Sequence, residues 1–279
     1  MPGVRVVTDS ACDLTDEVLA ELGIGLVPLR IRFGPEELTD RVELSTKEFW
    51  SRCQTFPGLP ETSAPSPGQF QSAFEAMAAD GADGVVCVSL SSKMSATIEA
   101  ARQAARTLEG SFPVRVVDSL NATMGEGLVA LEAATRAGRG GNVDEVAGAA
   151  ERIVGQLNVY GAIDTLENLK RGGRIGGAQA LVGSLLSIKP VIKVSDGVVA
   201  EESKQRTRGR SLRYLADKVM AAGPIARLAA FGADAPDMDE FLAMLDGVHP
   251  TEKVLVGDVG PVIGTHTGPG AIGVAWIPA

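Results

Sequence analysis

The sequence is poor in aromatic residues and in cysteine. Phe, Trp and Tyr make up only 4% of its 279 residues, whereas hydrophobic residues make up 45%. The core must therefore come from Val, Leu, Ile and Ala, as is typical of proteins that alternate strands and helices. The three cysteines, Cys12, Cys53 and Cys87, are scattered and odd in number, which favours neither disulfides nor a zinc site. We therefore expect a reducing, cytoplasmic location.

Excess positive charge and long apolar segments are also missing. The formal net charge of −9 argues against nucleic-acid binding, because phosphate contacts need clustered cations. The sequence has no run of about 18 apolar residues and no charged-then-apolar leader, so we expect a soluble protein. It also lacks the glycine motifs G-x-x-x-x-G-K-[ST] and, after a strand, G-x-G-x-x-G, which bind nucleotide phosphates.

Apolar runs that alternate with helical segments predict the fold. The first 157 residues are expected to form an N-terminal α/β domain with a mostly parallel sheet and helices on both faces. Residues 158–279 differ in composition and are expected to form a C-terminal α/β domain, with a hairpin turn at Asp196-Gly197. Strands are predicted at Val4–Thr8, Ile24–Phe33, Gly84–Leu90, Val114–Asp118, Val159–Asp164, Ile188–Val194, Val198–Glu202, Arg227–Gly232, Lys253–Val259 and Ala271–Ile277.

A polar turn, SSKMSAT from Ser91 to Thr97, connects the strand at 84–90 to a helix that begins near Ile98. A helix that opens there directs free backbone N–H groups and a partial positive charge at whatever lies in front of it. Ligands of open α/β sheets bind at the carboxyl ends of strands, so this turn is a candidate anion site. The alternative is that Ser95 only caps the helix.

Other polar segments also allow two interpretations each. Asp9 follows the first strand and is either a charged site residue or the cap of a turn. Thr62 and Ser63 lie in the segment Leu59–Gly68, whose three prolines are expected to prevent a regular element, and which is either a ligand clamp or an ordinary turn. Ser66, followed by a proline and then a glutamine, predicts a helix over Pro67–Ala79.

The C-terminal half contains two further candidates. A glycine stop ends a helix over Leu166–Arg174 and leaves Lys170, Arg171 and Arg174 together, before a small-residue segment, Ile175–Ser187, that reads as a buried helix. His266 lies in the glycine-rich segment Gly260–Gly270, predicted to be a loop that allows close backbone approach, and its role is either structural or functional.

Five segments in this order resemble the DegV family of bacterial fatty-acid-binding proteins. They are TDSACDL from Thr8, TSAPSPGQF from Thr62, SSKMSAT from Ser91, LKRGGRI from Leu169 and GTHTGPGAIGV from Gly264. The resemblance implies a two-domain α/β protein that holds a long-chain fatty acid, such as palmitate, stearate or oleate, in a buried tunnel between its domains. It implies no cofactor, metal or catalytic residue, because the phosphoryl chemistry would belong to a partner, the catalytic subunit of a fatty acid kinase. That system would serve phospholipid metabolism.

The same resemblance assigns roles to residues. Thr62 and Ser95 would hold the carboxylate, with His266 close to the same head group and with Ser63, Ser91 and Ser92 as additional head-group contacts. Arg171 and Arg174 would face the kinase and the new phosphate. One departure is Met94-Ser-Ala96, where Leu-Ser-Gly is more usual, which makes close approach at the helix start slightly harder.

Two other functions stay open at this point. Asp9, Ser95 and His266 could form the triad of a stand-alone hydrolase, although the sequence lacks a G-x-S-x-G elbow. A regulatory, lipid-sensing protein is the other alternative. For a fatty acid carrier, a transient contact with a membrane surface is also expected.

Overall fold

The computed structural model describes residues 3–180, 188–246 and 253–279. Its strands are β1 Val4–Asp9, β2 Gly25–Val27, β3 Arg30–Phe33, β4 Glu36–Thr39, β5 Glu61–Ser63, β6 Gly84–Ser89, β7 Val114–Asp118, β8 Asn158–Ala162, β9 Lys189–Ser195, β10 Val198–Gln205, β11 Ile225–Gly232, β12 Val254–Asp258 and β13 Ile272–Pro278. Its α-helices are α1 Asp16–Leu22, α2 Thr46–Thr55, α3 Pro67–Ala79, α4 Thr97–Thr107, α5 Met124–Gly138, α6 Val143–Val154, α7 Glu167–Arg171, α8 Arg208–Ala221, α9 Met238–Asp246 and α10 Pro261–Thr267.

The first sheet is parallel throughout, with the strand order β2-β1-β6-β7. Every residue of β6 is buried, because helices cover both faces of the sheet. Phe70 and Phe74 of α3 pack with α4 on one face, whereas α5 and α6 pack on the other. The predicted α/β class, with a parallel sheet and helices on both faces, is confirmed.

The second sheet is mixed, with the strand order β10-β9-β8-β13-β11-β12. The predicted hairpin is confirmed, since β9 and β10 pair antiparallel with Ser195 opposite Val198. Helices α8 and α9 cover one face, and α5 contacts β11 and β13. Sheet membership changes at β8, but the division of the chain into two domains at 157/158 stays a prediction.

A small third sheet, β4-β3-β5, differs from the prediction of one strand over Ile24–Phe33. That prediction is wrong, because the run is divided around Pro28. The first part, β2, pairs with β1, and the second part, β3, pairs with β4 and β5 instead. The expectation that the proline-rich segment forms no regular element is also wrong. Glu61–Ser63 lies between the prolines and pairs with β3 as an edge strand, with Thr62 opposite Ile31.

The helix α3 has the predicted bounds and the predicted capping box of Ser66 and Gln69. The segment around His266, in contrast, is a helix and not the expected loop. Pro261 occupies its first turn, where the fixed φ of proline suits a helix, and Gly264 lets it approach Trp50 closely. A buried helix was also predicted over Ile175–Ser187. Residues 181–187 of that segment lie outside the described residues. None of the described helices is long and apolar enough to cross a membrane.

Candidate functional site

A cavity of about 230 Å³ lies between the carboxyl end of the parallel sheet and one face of the mixed sheet. We call it the inter-sheet cavity. Its lining is mostly aliphatic, with the aromatic residues Tyr160 and Phe231 and several polar groups. The apolar side chains that line it include Leu29, Leu90, Met94, Val159, Ile163, Leu169, Ile192, Val194, Val199, Phe231, Val259, Val262, Ile263 and Ile272. Such a cavity suits an apolar ligand that carries a small polar group.

One wall of the cavity is a row of residues on four neighbouring strands. Phe231, Gly273, Gly161 and Ile192 lie opposite one another across β11, β13, β8 and β9. A side chain on Gly273 would collide with the ring of Phe231, so that glycine makes room for the ring. A Cβ on Gly161 would have only ordinary contacts, the nearest 3.7 Å from Cγ1 of Ile192. The missing side chain at Gly161 therefore leaves open space in the wall.

The polar residues that line the same cavity include Thr62, Ser95, Arg174 and His266. Thr62 comes from β5 and His266 from the last turn of α10, and Oγ1 of Thr62 lies 3.1 Å from Nε2 of His266. Ser95 lies in the turn before α4, where its Oγ is 2.8 Å from Oγ1 of Thr97 and accepts a bond from the Thr97 amide. Ala96, not Ser95, occupies the cap position of α4.

Arg174 lies at the exposed rim of the cavity. Its Nε donates to the carbonyl of Met94 at 3.1 Å, and its Nη1 donates to the carbonyl of Gly172 at 2.7 Å. The side chain therefore bridges the glycine stop after α7 and the turn that carries Ser95. Arg171 lies on the exposed surface of α7 and does not line the cavity.

His266 is neutral near pH 7. Burial, together with the positive charge of Arg174, lowers its pKa from 6.5 to about 4. Its Nδ1 is shielded from solvent and has no hydrogen-bond partner among the described residues. Because any side chain at Gly172 would collide with this ring nitrogen, the glycine allows the ring to occupy its place. If Nε2 carries the proton and donates to Thr62, the Thr62 hydroxyl is free to donate to a ligand.

The other predicted head-group contacts lie elsewhere or have other partners. Ser91 is buried, and its Oγ donates to the carbonyl of Gly197 at 2.7 Å, so it fastens the β9–β10 hairpin to this turn. Ser92 is exposed, and neither serine lines the cavity. Ser63 does line it, but its Oγ donates to Glu37 at 3.3 Å.

The hydrolytic triad considered from the sequence is not formed. No hydrogen bond within the described chain joins any two of Asp9, Ser95 and His266. The carboxylate of Asp9 is buried and accepts bonds from Ala11, Ser89 and Leu90 instead. A triad needs the acid to orient Nδ1 of the histidine, and this atom has no partner in the described structure.

The sequence did not reveal the residues that shape the apolar wall. Gly161, Phe231 and Gly273 become neighbours only through the strand register, and nothing in their local sequence distinguishes them from other strand residues.

Comparison with known proteins agrees with this architecture. The family model of DegV proteins matches residues 3–279. The chain belongs to the DegV family. A DegV domain-containing protein of Streptomyces coelicolor is 39% identical over 277 residues, which cover 97% of each chain.

Solved structures of DegV proteins are also similar. A DegV family protein from Thermus thermophilus, for which fatty acid binding is described, is 32% identical with a TM-score of 0.90, covering 99% of this chain and 100% of that one. A stearic acid-binding protein from Eubacterium ventriosum is 25% identical with a TM-score of 0.88, covering 99% of this chain and 98% of that one.

We predict that His266 of the unliganded protein titrates with a midpoint near pH 4, measured on its imidazole resonances by NMR, with His266→Asn identifying the signal. Removing the positive charge in Arg174→Ala should raise this midpoint. The pKa of His266 is higher in the unfolded chain than in the folded protein, so protonation favours unfolding. The contribution of neutral His266 to the free energy of unfolding is therefore fully present above about pH 6.5 and is lost as the pH falls toward 4. A midpoint near 6.5 in the folded protein would contradict the buried, neutral state.

Proposed function

We propose that this protein binds one long-chain fatty acid in the inter-sheet cavity and presents its carboxylate to a partner kinase for ATP-dependent conversion to an acyl phosphate. The observation that carries the proposal is that three polar donors, Thr62, Ser95 and His266, line an otherwise mostly apolar cavity. The bound fatty acids described for DegV relatives support it. No residue of this chain acts as a nucleophile, so the protein is a carrier and the phosphoryl transfer belongs to the kinase.

The head group requires hydrogen bonds because desolvating an unpaired carboxylate is expensive. In the proposed complex, the hydroxyl groups of Thr62 and Ser95 donate hydrogen bonds to the carboxylate, and each bond contributes about 1.5–3 kcal/mol. His266 donates from Nε2 to Thr62, which leaves the Thr62 proton for the ligand. Arg174 stays at the rim, where its charge can approach the head group without being buried.

The tail supplies most of the binding energy. Burying about 14 methylenes at roughly 0.8 kcal/mol each would contribute about 11 kcal/mol before the costs of association and ordering. Aliphatic walls suffice for such a ligand, which agrees with the scarcity of aromatic residues.

The carrier hypothesis predicts that protein expressed in bacteria carries a fatty acid, detected as added mass by native mass spectrometry. Thr62→Ala and Ser95→Ala should each weaken palmitate binding by about tenfold, because each removes a bond to a charged group. Thr55→Ala is a matched control, since that exposed hydroxyl bonds only to the carbonyl of Arg52. Turnover of a generic ester by the purified protein, without bound lipid, would favour the hydrolase instead.

The open wall at Gly161 provides a second test, directed at the tail. Gly161→Leu should place a branched side chain inside the cavity and weaken palmitate binding by more than about tenfold, since it excludes several methylenes. The protein should still fold, because a Cβ at this position meets no close neighbour. Gly148→Leu, on the surface of α6, is the control. Unchanged palmitate affinity in Gly161→Leu would mean that the tail runs elsewhere.

The kinase part of the proposal rests on exposed cations near the rim. Arg171→Ala should bind palmitate normally but should reduce acyl-phosphate formation in an assay with a fatty acid kinase catalytic subunit and ATP. The expected reason is loss of an attraction to the kinase or to the new phosphate, which is strongest at low salt. Arg139→Ala, at the exposed end of α5, is the control. If Arg171→Ala keeps the full phosphorylation rate at low salt, this role is wrong.

A further inference from the structure

The segment Thr8–Leu14, of sequence TDSACDL, begins with the last two residues of β1 and does not line the inter-sheet cavity. We call it the strand-end segment. All seven of its residues are at most 1% exposed, although they include two carboxyl groups and two hydroxyls. Buried polar groups cost free energy unless they are hydrogen-bonded, so the partners of these side chains need an explanation.

Three side chains of the strand-end segment accept hydrogen bonds from backbone N–H groups of distant residues. Oδ2 of Asp9 accepts from the amide of Leu90 at 2.9 Å, and also from Oγ of Ser89. Oγ of Ser10 accepts from the amide of Leu29 at 3.0 Å. Oδ1 of Asp13 accepts from the amide of Gly260 at 2.9 Å.

Each of these amides lies where a regular backbone ladder begins or ends. Leu90 directly follows β6, Leu29 lies between β2 and β3 where the chain changes sheets, and Gly260 is the cap residue of α10. Such positions leave buried N–H groups without a backbone partner, and the side chains of the strand-end segment provide one.

The three amides also belong to the three structural units that carry the proposed head-group residues. Leu90 leads into the turn that holds Ser95. Leu29 precedes β3, whose neighbour β5 holds Thr62, and Gly260 caps the helix whose last turn holds His266. One short buried segment therefore contacts all three units, which otherwise come from parts of the chain far apart in sequence.

The acidic residues make this arrangement costly. Burial raises the pKa of Asp13 to about 7 and also raises the pKa of Asp9, and the carboxyl of Glu126 is buried nearby, where it accepts a bond from Thr8. Apolar residues could fill the same volume at lower cost, but they could not accept the three N–H groups. The bonds therefore satisfy the three N–H groups and also fix the positions of the units to which those groups belong.

We propose that Asp9, Ser10 and Asp13 are positioning residues for the carboxylate site, holding the Ser95 turn, the Thr62 strand and the His266 helix in the arrangement that receives the head group. This inference rests on the proposed function. It predicts that loss of a bond in the strand-end segment weakens recognition of the acid group specifically and leaves the binding of the apolar chain largely intact.

The test compares palmitic acid with cetyl alcohol, which has the same chain length and no carboxylate, both delivered from cyclodextrin and measured by titration. Asp13→Gly removes the acceptor and suits the left-handed φ of 54° at this position, whereas Asp13→Asn keeps an acceptor oxygen and also tolerates that φ. Asp13→Gly and Ser10→Ala should each weaken the affinity for palmitic acid by about tenfold, while the affinity for cetyl alcohol changes by less than about twofold. Asp13→Asn should retain most of the acid affinity.

The control is Thr15→Ala, which removes the cap of α1 in the adjacent turn without contacting any of the three units. It should lower thermal stability without changing the preference for the acid. The inference would be overturned if Ser10→Ala and Asp13→Gly lost affinity for both ligands equally. It would also be overturned if neither variant lost affinity for palmitic acid. If Asp13→Gly does not fold, Ser10→Ala decides alone. If the unaltered protein binds neither ligand, the proposed function itself fails and the inference fails with it.

Discussion

The hydrogen bond between Thr62 and His266 joins two residues that are 204 positions apart in the chain. It forms at the wall of an apolar cavity, so its geometry depends on the packing of both sides. Thr62 is held by the pairing of β5 with β3, and His266 by the short helix α10 packed against Trp50 through Gly264. A change in either support would therefore alter the distance between these two atoms.

Close packing around this pair depends on glycines at particular contacts. Gly172 makes room for the ring of His266, and Gly273 makes room for the ring of Phe231. At both positions a methyl group would collide with an aromatic ring, so the neighbouring element would have to move. Gly161 differs, because its missing side chain leaves open space in the cavity wall. Glycine in a strand interior usually weakens the strand. Gly161 and Gly273 are both in strands, and the absence of their side chains shapes the cavity wall.

The sequence predicted the regular elements better than it predicted the site. Local signals were sufficient for α3, where Ser66, Pro67 and Gln69 set the first turn, and for the hairpin at Asp196-Gly197. They were misleading for β2 and β3, because the change of sheet at Pro28 depends on which strands are available as partners. They were also misleading around His266, where a glycine-rich segment forms a helix that has Pro261 in its first turn and approaches Trp50 closely at Gly264.

The candidate site was predicted only as a set of separate segments. The resemblance to DegV proteins named Thr62, Ser95 and His266, but the wall formed by Gly161 and Phe231 depends on strand register, which no local pattern encodes. The tertiary structure also places Ser91 against Gly197 and outside the cavity lining. A pattern of hydroxyl residues in one turn could not separate Ser95 from Ser91.

A neutral head-group site is physically suited to a carrier. A buried, permanently charged side chain would have to be desolvated whenever the cavity lacked an anion, at a cost of several kcal/mol per ion. In the proposed site, hydroxyl groups and a histidine that burial holds neutral avoid this cost, and the hydroxyl groups can still donate to a carboxylate. The Arg174 cation remains at the solvent-exposed rim, bonded to backbone carbonyls. In the proposed complex, the affinity would come mainly from the tail, and the head group would stay close to the exposed rim.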